Sequence, residues 1–597
     1  MPLFPRTAFT SNSSIAISVT HNPSLNNVKT SHDVVSNQAL ALKDGGQVWN
    51  HRLEDPDKVV ILARQDRRQW KSLWGGTTPG SMNTPRTLII GLDGATFTLI
   101  EPLIQAGYLP TLARLMTQGI HGYMRTWPNM NSEAGWTSLV TGYNSGQHGI
   151  YHLAIRTQHD YTWRLASAAD RKKDPFWCLL SAAGQRVGII NVPLSYPADP
   201  VNGFMLSGMH TPDIHSPGFA HPPDLLDDLR RQGIDYIIGV LRLADLCRRA
   251  PQRALQAAQH LVDVRSRTIL YLMKTRPWDV LMAVFAVTDI LQHFFWPDKD
   301  VSVENDVWTP MRSIYQQIDS FLSEALEIID ENTTVLVVSD HGFGPAYFGK
   351  ECLSHLFARL GLLRYRQDGP QSKSRWLKNL LPYGRKVVPY WLRSPLKQVL
   401  PRLYGRALRE VEFPSVDWSH TQVFVRRCGE QIYINLDGRE AEGIVPSKEY
   451  APLRERVRDI LLNLTDPTTG HHVVRAVHWR EDLYHGPYAG QAADMLVEWD
   501  YDVLRDSLCY RTAETSIIVQ SPKRFDRDRR VAGLHRPQGI FIAYGPHIKR
   551  GTTVANVSIY DIAPTILYLQ GHSIPEDMDG KVLANIFTDE RLRHYPS

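Results

Sequence analysis

Cysteine is scarce in this chain, with five residues among 597, widely separated and without a C-x-x-C pair. That spacing excludes a disulfide scaffold and a thiolate zinc site. Long hydrophobic runs are also missing: the most apolar stretch, 280–287, is far shorter than the ~18 residues of a membrane-spanning helix. Neither sign of charge dominates, because 66 Lys and Arg face 61 Asp and Glu. A net charge of +5 does not indicate a nucleic-acid-binding surface.

Residues 1–84 contain little apolar periodicity. They are rich in Ser, Asn and Thr, and this composition predicts a flexible leader. No basic region followed by an apolar segment opens the chain. We therefore expect no secretory signal and a cytoplasmic protein.

From residue 85 onward, apolar runs alternate with helical stretches. The runs in RTLIIGLDG, QRVGIINVP, WDVLMAVFAVTD and TTVLVVSDHGFG are continuous, as in strands that are buried on both faces. Their alternation with helices predicts an α/β fold with a mostly parallel central sheet and helices on both faces. We expect a core formed by residues 85–349 and 481–597, with an inserted lid or cap over 350–480.

The inserted region contains a strongly basic segment, residues 364–409. It holds twelve Lys or Arg residues and one acid, Asp368, with aromatic residues between the charges. Two interpretations remain open: a solvated helical lid over the rim of the sheet, or a surface that contacts anionic lipid or an acidic substrate.

Three of the predicted strands are followed closely by an aspartate, namely Asp93, Asp289 and Asp340. The carboxyl ends of parallel strands share one edge of a sheet, where three carboxylates repel one another unless cations neutralise them. His293 lies four residues after Asp289, on the same helical face, and His341 adjoins Asp340. Carboxylate and imidazole ligands without thiolates favour zinc, manganese or a similar divalent ion.

A candidate nucleophile lies at the start of a predicted helix. Ser132 follows Asn131, and the helical stretch continues to about Thr141. The backbone N–H groups and the dipole at a helix N-terminus favour an anion. A serine hydroxyl at neutral pH needs a neighbouring metal ion to become a nucleophile. The alternative is that Ser132 only caps the helix.

Together these segments resemble the alkaline phosphatase superfamily and, more closely, its type I phosphodiesterase / nucleotide pyrophosphatase branch. The resemblance extends from about residue 87 to about 587, through SEAGWTSLVTGYNSGQHGI, VTDILQHFFW, VVSDHGFGP, LHRPQGIFIAYGPHI and PEDMDGKVL. It implies two sites for divalent metal ions, zinc or alternatively manganese. The matching residues are Asp93, Ser132, Asp340 and His341 for one ion, and Asp289, His293 and His535 for the other. His535 is assigned by the resemblance alone.

The resemblance also implies a reaction. Ser132 attacks phosphorus in line with the leaving group, and water hydrolyses the covalent phospho-enzyme that results. The expected substrate is a small phosphodiester or nucleotide pyrophosphate, with no specific nucleic-acid partner. A phosphomonoesterase or phosphomutase is an alternative, because many phosphodiesterase relatives carry Thr where this chain has Ser132. A catalytically silent, metal-bound binding scaffold is an alternative of another class.

Several other polar residues are secondary candidates. Asn131 and Asn144 are possible phosphate contacts, and we expect His148 to be structural. The residues Asn191, Tyr196 and Thr211 either face the substrate or stabilise turns around nearby prolines. The residues after Ser132 do not form the C/S-x-P-x-R motif of a sulfatase.

Overall fold

The structure, a computed structural model, describes residues 17–18, 40–44, 47–51, 85–156, 163–297, 301–366, 413, 415–426, 429–521 and 531–589. The chain divides into two units, Met1–Thr78 and Pro79–Ser597. In the smaller unit, an antiparallel sheet is formed by strands Ile17–Ser18, Leu40–Asp44 and Gln47–His51. Most of residues 1–84 lie outside the described residues, and the flexible leader over 1–84 stays a prediction.

A ten-stranded sheet forms the centre of the larger unit. Its strands in chain order are β1 (Arg86–Leu92), β2 (Ile120–Arg125), β3 (Val187–Ile190), β4 (Gly203–Leu206), β5 (Ala220–His221), β6 (Val280–Phe285), β7 (Thr333–Val338), β8 (Gln538–Tyr544), β9 (Thr552–Thr553) and β10 (Val557–Ser558). Their spatial order is β5-β4-β3-β6-β1-β7-β8-β2-β9, with β10 also paired to β2. Strands β4, β3, β6, β1 and β7 run parallel, whereas β8 is antiparallel to both of its neighbours. The predicted mostly parallel sheet is confirmed.

Helices cover both faces of this sheet, as predicted, and others belong to the inserted region. In chain order they are α1 (Phe97–Gln105), α2 (Pro110–Gln118), α3 (Ser132–Thr141), α4 (Ser145–His148), α5 (Phe176–Ala182), α6 (Leu225–Arg231), α7 (Val240–Arg249), α8 (Pro251–Thr275), α9 (Val287–Phe295), α10 (Thr309–Ile328), α11 (Leu353–Arg359), α12 (Ser447–Leu462), α13 (Arg480–Leu483) and α14 (Ile562–Leu569).

The central strands are apolar along their whole length because both faces are covered. Leu88 and Ile90 of β1 belong to a hydrophobic cluster with α1, α8 and α10. Ile89, between them, belongs to a cluster on the opposite face with α3, α5 and α14. All three side chains are fully buried, and successive strand residues point to opposite faces. Burying each such side chain stabilises the fold by about 1.5–3 kcal/mol.

The inserted region has its own antiparallel sheet and hydrophobic cluster. The strand order is Val423–Val425, Gln431–Ile434, Met495–Trp499 and Val474–Trp479. The cluster extends as far as Val519, and the bounds of the inserted region, 350–480, stay a prediction. Trp127 and Met130, just before Ser132, also belong to this cluster. Residues 367–412 lie outside the described residues, so the interpretations of the basic segment stay predictions.

Among the described residues, no helix has both the length and the apolar character that a bilayer span requires. Among the described residues, Cys247, Cys352 and Cys509 are free thiols.

Candidate metal centre

Three neighbouring strands bring the predicted aspartates to one edge of the sheet. Strands β6, β1 and β7 are adjacent and parallel. Asp93 follows β1 directly, Asp340 follows β7 after one residue, and Asp289 lies in the first turn of α9, just after β6. The carboxyl ends of these strands therefore place the three carboxylates together, as the sequence predicts.

His535 reaches the same edge by a different route. Strand β8 is antiparallel to β7, so the residues that precede β8 lie where β7 ends. A two-stranded ribbon, Gly342–Pro345 with Gly533–Arg536, places His535 opposite Phe343. The ring of His535 stacks on that of His341, with ring centroids 3.7 Å apart.

One group of ligands surrounds the hydroxyl of Ser132. The carboxylates of Asp93 and Asp340 and the imidazole of His341 offer ligand atoms that lie within 4.8 Å of one another. Nε2 of His341 is 3.6 Å from Oδ1 of Asp93 and 3.4 Å from Oδ2 of Asp340. Oγ of Ser132 donates a hydrogen bond to Oδ1 of Asp93 at 3.1 Å and lies 3.5 Å from Nε2 of His341.

The second group consists of Asp289, His293 and His535. Their ligand atoms also lie within 4.8 Å of one another. Oδ1 of Asp289 is 3.5 Å from Nε2 of His293 and 3.0 Å from Nε2 of His535. It is also 3.8 Å from Nε2 of His341, so the two groups adjoin.

The histidines present lone pairs to this centre. Each Nδ1 contacts a backbone carbonyl: Gly533 for His293, Gly342 for His341 and Met130 for His535, at 3.0, 3.1 and 2.6 Å. Because a carbonyl only accepts, Nδ1 is the donor, and Nε2 of a neutral ring is left as an acceptor. Oδ2 of Asp340 is buried and accepts no hydrogen bond from the described residues. Converging acceptors without donors fit a pair of divalent cations.

The pKa values of the three buried carboxyl groups reflect their burial and the charges around them. Burial raises the pKa of Asp93, and the charges of Asp340 and Asp289 raise it further. Burial, followed by the charge of Asp289, raises the pKa of Asp340 to about 8. Burial alone would raise the pKa of Asp289 too, but His293 and His535 outweigh that effect and lower it.

The pKa values of the three histidines also shift in different directions: two are lowered and one is raised. Burial lowers the pKa of His341, and nearby His535 lowers it further. Burial also lowers the pKa of His293 and outweighs the opposing charge of Asp289. His535 is the exception: burial would lower its pKa, but the hydrogen bond and charge of Asp289 raise it.

Ser132 occupies the first residue of α3 and is not its cap. The cap is Asn131, whose side chain accepts a hydrogen bond from the backbone N–H of Ala134 at 3.0 Å. The interpretation of Ser132 as a simple capping residue is therefore wrong. Its hydroxyl is directed to Asp93, and only 7% of the residue is exposed.

The indole of Trp136 fixes Asp93 from the other side. Its Nε1 donates to Oδ2 of Asp93 at 3.1 Å, which leaves Oδ1 directed toward Ser132. The indole packs directly against Gly91. A Cβ atom on residue 91 would lie 2.4 Å from the indole. Gly94 adopts a φ of +68° and donates its N–H to Oδ1 of Asp340 at 3.2 Å. No motif in the sequence predicts the Trp136–Asp93 or the Gly94–Asp340 hydrogen bond.

The predicted phosphate contacts have hydrogen-bond partners within the protein. Besides capping α3, Asn131 donates from Nδ2 to the carbonyl of Tyr151 at 3.0 Å. Asn144 accepts from the N–H of Gly146 at 2.7 Å and donates to Oδ2 of Asp579 at 2.7 Å. Both side-chain amides are therefore hydrogen-bonded to groups of the protein itself.

His148 is structural, as predicted. It is fully buried, with Nε2 2.9 Å from Oγ of Ser138, and its Nδ1 accepts from the N–H of Ile150. Burial and then the charge of Arg171 lower its pKa to about 3, so the ring is neutral at physiological pH.

The other three loop residues make turn and packing contacts. Tyr196 donates to the carbonyl of Pro217 at 3.0 Å, and Thr211 donates to that of Gly208 at 2.6 Å. Asn191 donates from Nδ2 to the carbonyl of Val284 at 2.8 Å. Its Oδ1 is buried and accepts no hydrogen bond from the part of the chain that the structure describes.

A buried contact between Glu133 and His210, beside the nucleophile, was not found from the sequence. Oε1 of Glu133 lies 3.1 Å from Nε2 of His210, and only 13% and 11% of the two side chains are exposed. Burial would raise the pKa of Glu133, but His210 outweighs it and lowers the value to about 2. The residues are 77 positions apart by their numbers, and no motif signals their contact.

Comparison with known proteins gives the family of the chain. The type I phosphodiesterase / nucleotide pyrophosphatase family matches residues 87–503. Among solved structures, phosphonoacetate hydrolase from Sinorhizobium meliloti 1021 with phosphonoacetate is similar at 13% identity and a TM-score of 0.46, over 82% of this chain and 96% of that one. No curated protein sequence matches this chain.

Murine ectonucleotide pyrophosphatase / phosphodiesterase 5 is similar at 11% identity and a TM-score of 0.41, over 83% of this chain and 97% of that one. An inactive variant of that protein, in complex with AMP, is similar at 11% identity and a TM-score of 0.42, over 86% and 99%. The family match extends over more than half of this chain. This protein belongs to the type I phosphodiesterase / nucleotide pyrophosphatase family and is a phosphoric ester hydrolase.

Proposed function

We propose that this protein is a metal-dependent phosphohydrolase that cleaves a phosphodiester or nucleotide pyrophosphate with Ser132 as nucleophile. The observation that supports this proposal is the position of the hydroxyl. Oγ of Ser132 lies 3.1 Å from Asp93 and 3.5 Å from His341, at the first residue of α3. A protein that only binds metal needs no hydroxyl beside its ligands, which argues against a silent scaffold.

Two divalent ions suit the ligands, with zinc favoured by the imidazoles and manganese as the alternative. Asp93, Asp340 and His341 would hold one ion together with Ser132. The residues Asp289, His293 and His535 would hold the other. When bound, such ions lower the pKa of a coordinated hydroxyl and stabilise negative charge on phosphoryl oxygens.

The residues of the chain would direct the reaction as follows. Asp93 would orient Oγ of Ser132, which would lose its proton to solvent and form a bond to phosphorus while the bond to the leaving-group oxygen breaks and that oxygen takes a proton from solvent. The first turn of α3 contributes backbone N–H groups and the positive end of its dipole, both of which favour charge on the phosphoryl group. Water then attacks the phosphoserine, releases the phosphoryl product and restores the hydroxyl of Ser132.

The proposal is tested with bis-p-nitrophenyl phosphate, a phosphodiester, and p-nitrophenyl phosphate, a monoester. We expect the zinc- or manganese-loaded protein to cleave the diester faster. Faster cleavage of the monoester would support the phosphomonoesterase or phosphomutase alternative, which the serine at position 132 favours. Failure to cleave either ester, with two bound ions shown by elemental analysis, would contradict the proposal.

Variants of Ser132 separate catalysis from metal binding. Ser132→Ala should lower turnover by about 1,000-fold or more while metal content and melting temperature change little. Ser132→Thr keeps a hydroxyl and should retain measurable turnover. Ser320→Ala, which changes an exposed serine on α10, is the matched control. Full activity of Ser132→Ala would show that another group is the nucleophile.

A further inference from the structure

A buried carboxylate lies one residue after the proposed nucleophile. Glu133 follows Ser132 in the first turn of α3, and 13% of its side chain is exposed. Its Oε1 lies 3.1 Å from Nε2 of His210. No Lys or Arg side chain of the described residues forms a salt bridge with this carboxylate. The first turn of α3 therefore carries an acidic group whose side-chain partner is an imidazole.

The carboxyl group of Glu133 is ionised at this position. Burial would raise its pKa, but His210 and the backbone N–H of Glu133 itself outweigh that effect. Burial, followed by the charge of Arg426, lowers the pKa of nearby His152 to about 3, so that ring is neutral at physiological pH. A neutral imidazole can also donate an N–H to a carboxylate without cancelling its charge. The negative charge of Glu133 can therefore act on a substrate at Ser132.

His210 reaches Glu133 from the loop that follows β4. Its φ is +77°, in the left-handed region that residues other than glycine rarely adopt. The preceding residue, Met209, packs against Ala286, at the end of β6, and against Ile290 of α9. This loop therefore lies at the same edge of the sheet as the metal ligands. Backbone strain of this kind persists where the surrounding contacts fix it, and it is concentrated at functional sites.

Covalent geometry limits the distance between the carboxylate and the nucleophile. Adjacent Cα atoms are about 3.8 Å apart, so the carboxylate of Glu133 lies within about 10 Å of Oγ of Ser132 in any side-chain conformation. At an effective dielectric constant of about 20, a unit charge at that distance changes the equilibrium for another unit charge by roughly tenfold. Because both side chains are largely buried, salt screens this interaction less than it would at the surface.

Phosphomonoesters and phosphodiesters differ in charge. The second pKa of a phosphomonoester is about 6, so the group carries nearly two negative charges above pH 7. A diester has no second acidic oxygen and carries a single negative charge. Divalent ions attract both kinds of ester, but a nearby carboxylate repels the dianion more strongly than the monoanion.

We propose that Glu133 is a specificity-determining residue that makes this site favour phosphodiesters over phosphomonoesters. Its charge opposes a dianionic monoester, in the bound state and in the transition state, more than a monoanionic diester. Because Ser132 would attack either ester, this specificity rests on the proposed function. A diester preference is then compatible with a serine nucleophile, since the neighbouring carboxylate sets the charge of the preferred ester.

The test compares three p-nitrophenyl substrates at pH 8 with the full-length, metal-loaded protein. The phosphate monoester is a dianion, whereas p-nitrophenyl methylphosphonate and bis-p-nitrophenyl phosphate are monoanions. Glu133→Gln should raise kcat/KM for the dianion about tenfold relative to either monoanion. The two monoanions differ in size, so an unchanged ratio between them separates charge from shape. Ratios also cancel any general loss of activity.

Matched variants assign the effect to the charge at position 133. Glu133→Asp keeps the carboxylate and should keep the wild-type ratio of dianion to monoanion within about threefold. Glu133→Met is unbranched and uncharged, so it should shift the ratio as Glu133→Gln does, and it replaces that variant if Glu133→Gln does not fold. Glu324→Gln removes an exposed acid of α10. It changes the net charge equally and should leave the ratio unaltered.

Calorimetry gives a readout that needs no turnover. Inorganic phosphate, mainly a dianion at pH 8, and dimethyl phosphate, a monoanion, are titrated into the metal-loaded proteins. Glu133→Gln should bind inorganic phosphate about tenfold more tightly than the wild-type protein, beyond any change for dimethyl phosphate. Glu324→Gln should bind phosphate as the wild-type protein does.

The outcomes separate this specificity from the proposed function. An unchanged ratio in Glu133→Gln and Glu133→Met would overturn the role of Glu133, and so would an equal shift in Glu133→Asp. If the wild-type protein cleaves none of the three substrates, the proposed function fails. The calorimetric comparison then decides: equal affinity of Glu133→Gln and the wild-type protein for phosphate would overturn the role of Glu133 as well.

Discussion

Nε2 of His535 lies 3.0 Å from Nε2 of His293. The other nitrogen of each ring contacts a backbone carbonyl, of Met130 and Gly533 respectively. In neutral rings, two lone pairs therefore face each other, and Asp289 adds a third acceptor 3.0 Å from His535. A shared cation or proton is the physical reason for such a contact.

The first prediction concerns His535. His535→Ala removes one of three ligands from the second group, so we expect bound metal to fall from two ions per chain toward one. Turnover should fall by about 100-fold or more. Elemental analysis and diester hydrolysis measure the two effects. His260→Ala, which changes an exposed histidine of α8, should change neither. Unaltered metal content in His535→Ala would contradict the assignment.

The second prediction concerns the indole that holds Asp93. Trp136→Phe removes the Nε1 donor but keeps an aromatic ring over Gly91. Asp93 then loses a fixed orientation, and metal affinity should fall by about 10–100-fold. Trp177→Phe is a matched control, because Trp177 is also buried and donates to Asp199 at 3.1 Å, away from the ligands.

Titration calorimetry separates the local effect from general destabilisation. Both variants should lose roughly 1–2 kcal/mol of stability from a missing buried hydrogen bond. Only Trp136→Phe should bind zinc more weakly. An equal loss of affinity in the two variants would mean that Trp136 acts through stability alone.

The third prediction is that metal binding releases protons. The pKa of Asp340 is raised to about 8 in the absence of a cation, and the pKa of His535 is also raised. At pH 7 Asp340 therefore holds a proton that a cation must displace, so metal affinity should increase as pH rises from 6 to 8. Zinc titrations at pH 7 in two buffers of different ionisation enthalpy should show release of about one proton or more. A pH-independent affinity would contradict this protonation scheme.

The fourth prediction concerns the stability contributed by Glu133. Its pKa is lowered from 4.5 to about 2, because His210 outweighs burial. A depressed carboxyl pKa contributes stability above the unfolded-state value, and this contribution disappears as pH falls toward 2. Glu133→Gln should thus destabilise the protein by about 2–3 kcal/mol at pH 6. The difference in denaturant midpoint should shrink below pH 4; a constant difference would indicate a steric effect.

The fifth prediction concerns the basic segment, of which residues 367–409 lie outside the described residues. If the segment is a lid that brings positive charge to an anionic substrate, deleting residues 370–405 should raise KM more than it alters the melting temperature. Salt-sensitive sedimentation with phosphatidylserine vesicles would instead favour the membrane surface. The intact protein and the deletion variant are compared in both assays.

Much of the site could be predicted from the sequence, because its three aspartates lie just after the ends of buried strands. Asp93 and Asp340 come at or just after the ends of buried strands, and Asp289 with His293 has helical spacing. Parallel strands end at one edge of a sheet, so local pattern and simple topology suffice to bring these residues together. The α/β class follows for the same reason, since strands buried on both faces show continuous apolar runs.

The remaining features depend on contacts between distant segments. His535 precedes an antiparallel strand, and its place was known only through the family resemblance, since no spacing distinguishes it among 23 histidines. The Glu133–His210 contact and the Trp136 bond to Asp93 join residues from different elements. The sequence alone determined the strands, their periodicity and the residues at their ends. Only the tertiary structure decided which distant side chains share a buried site, because burial and charge pairing arise when the helices pack against the sheet.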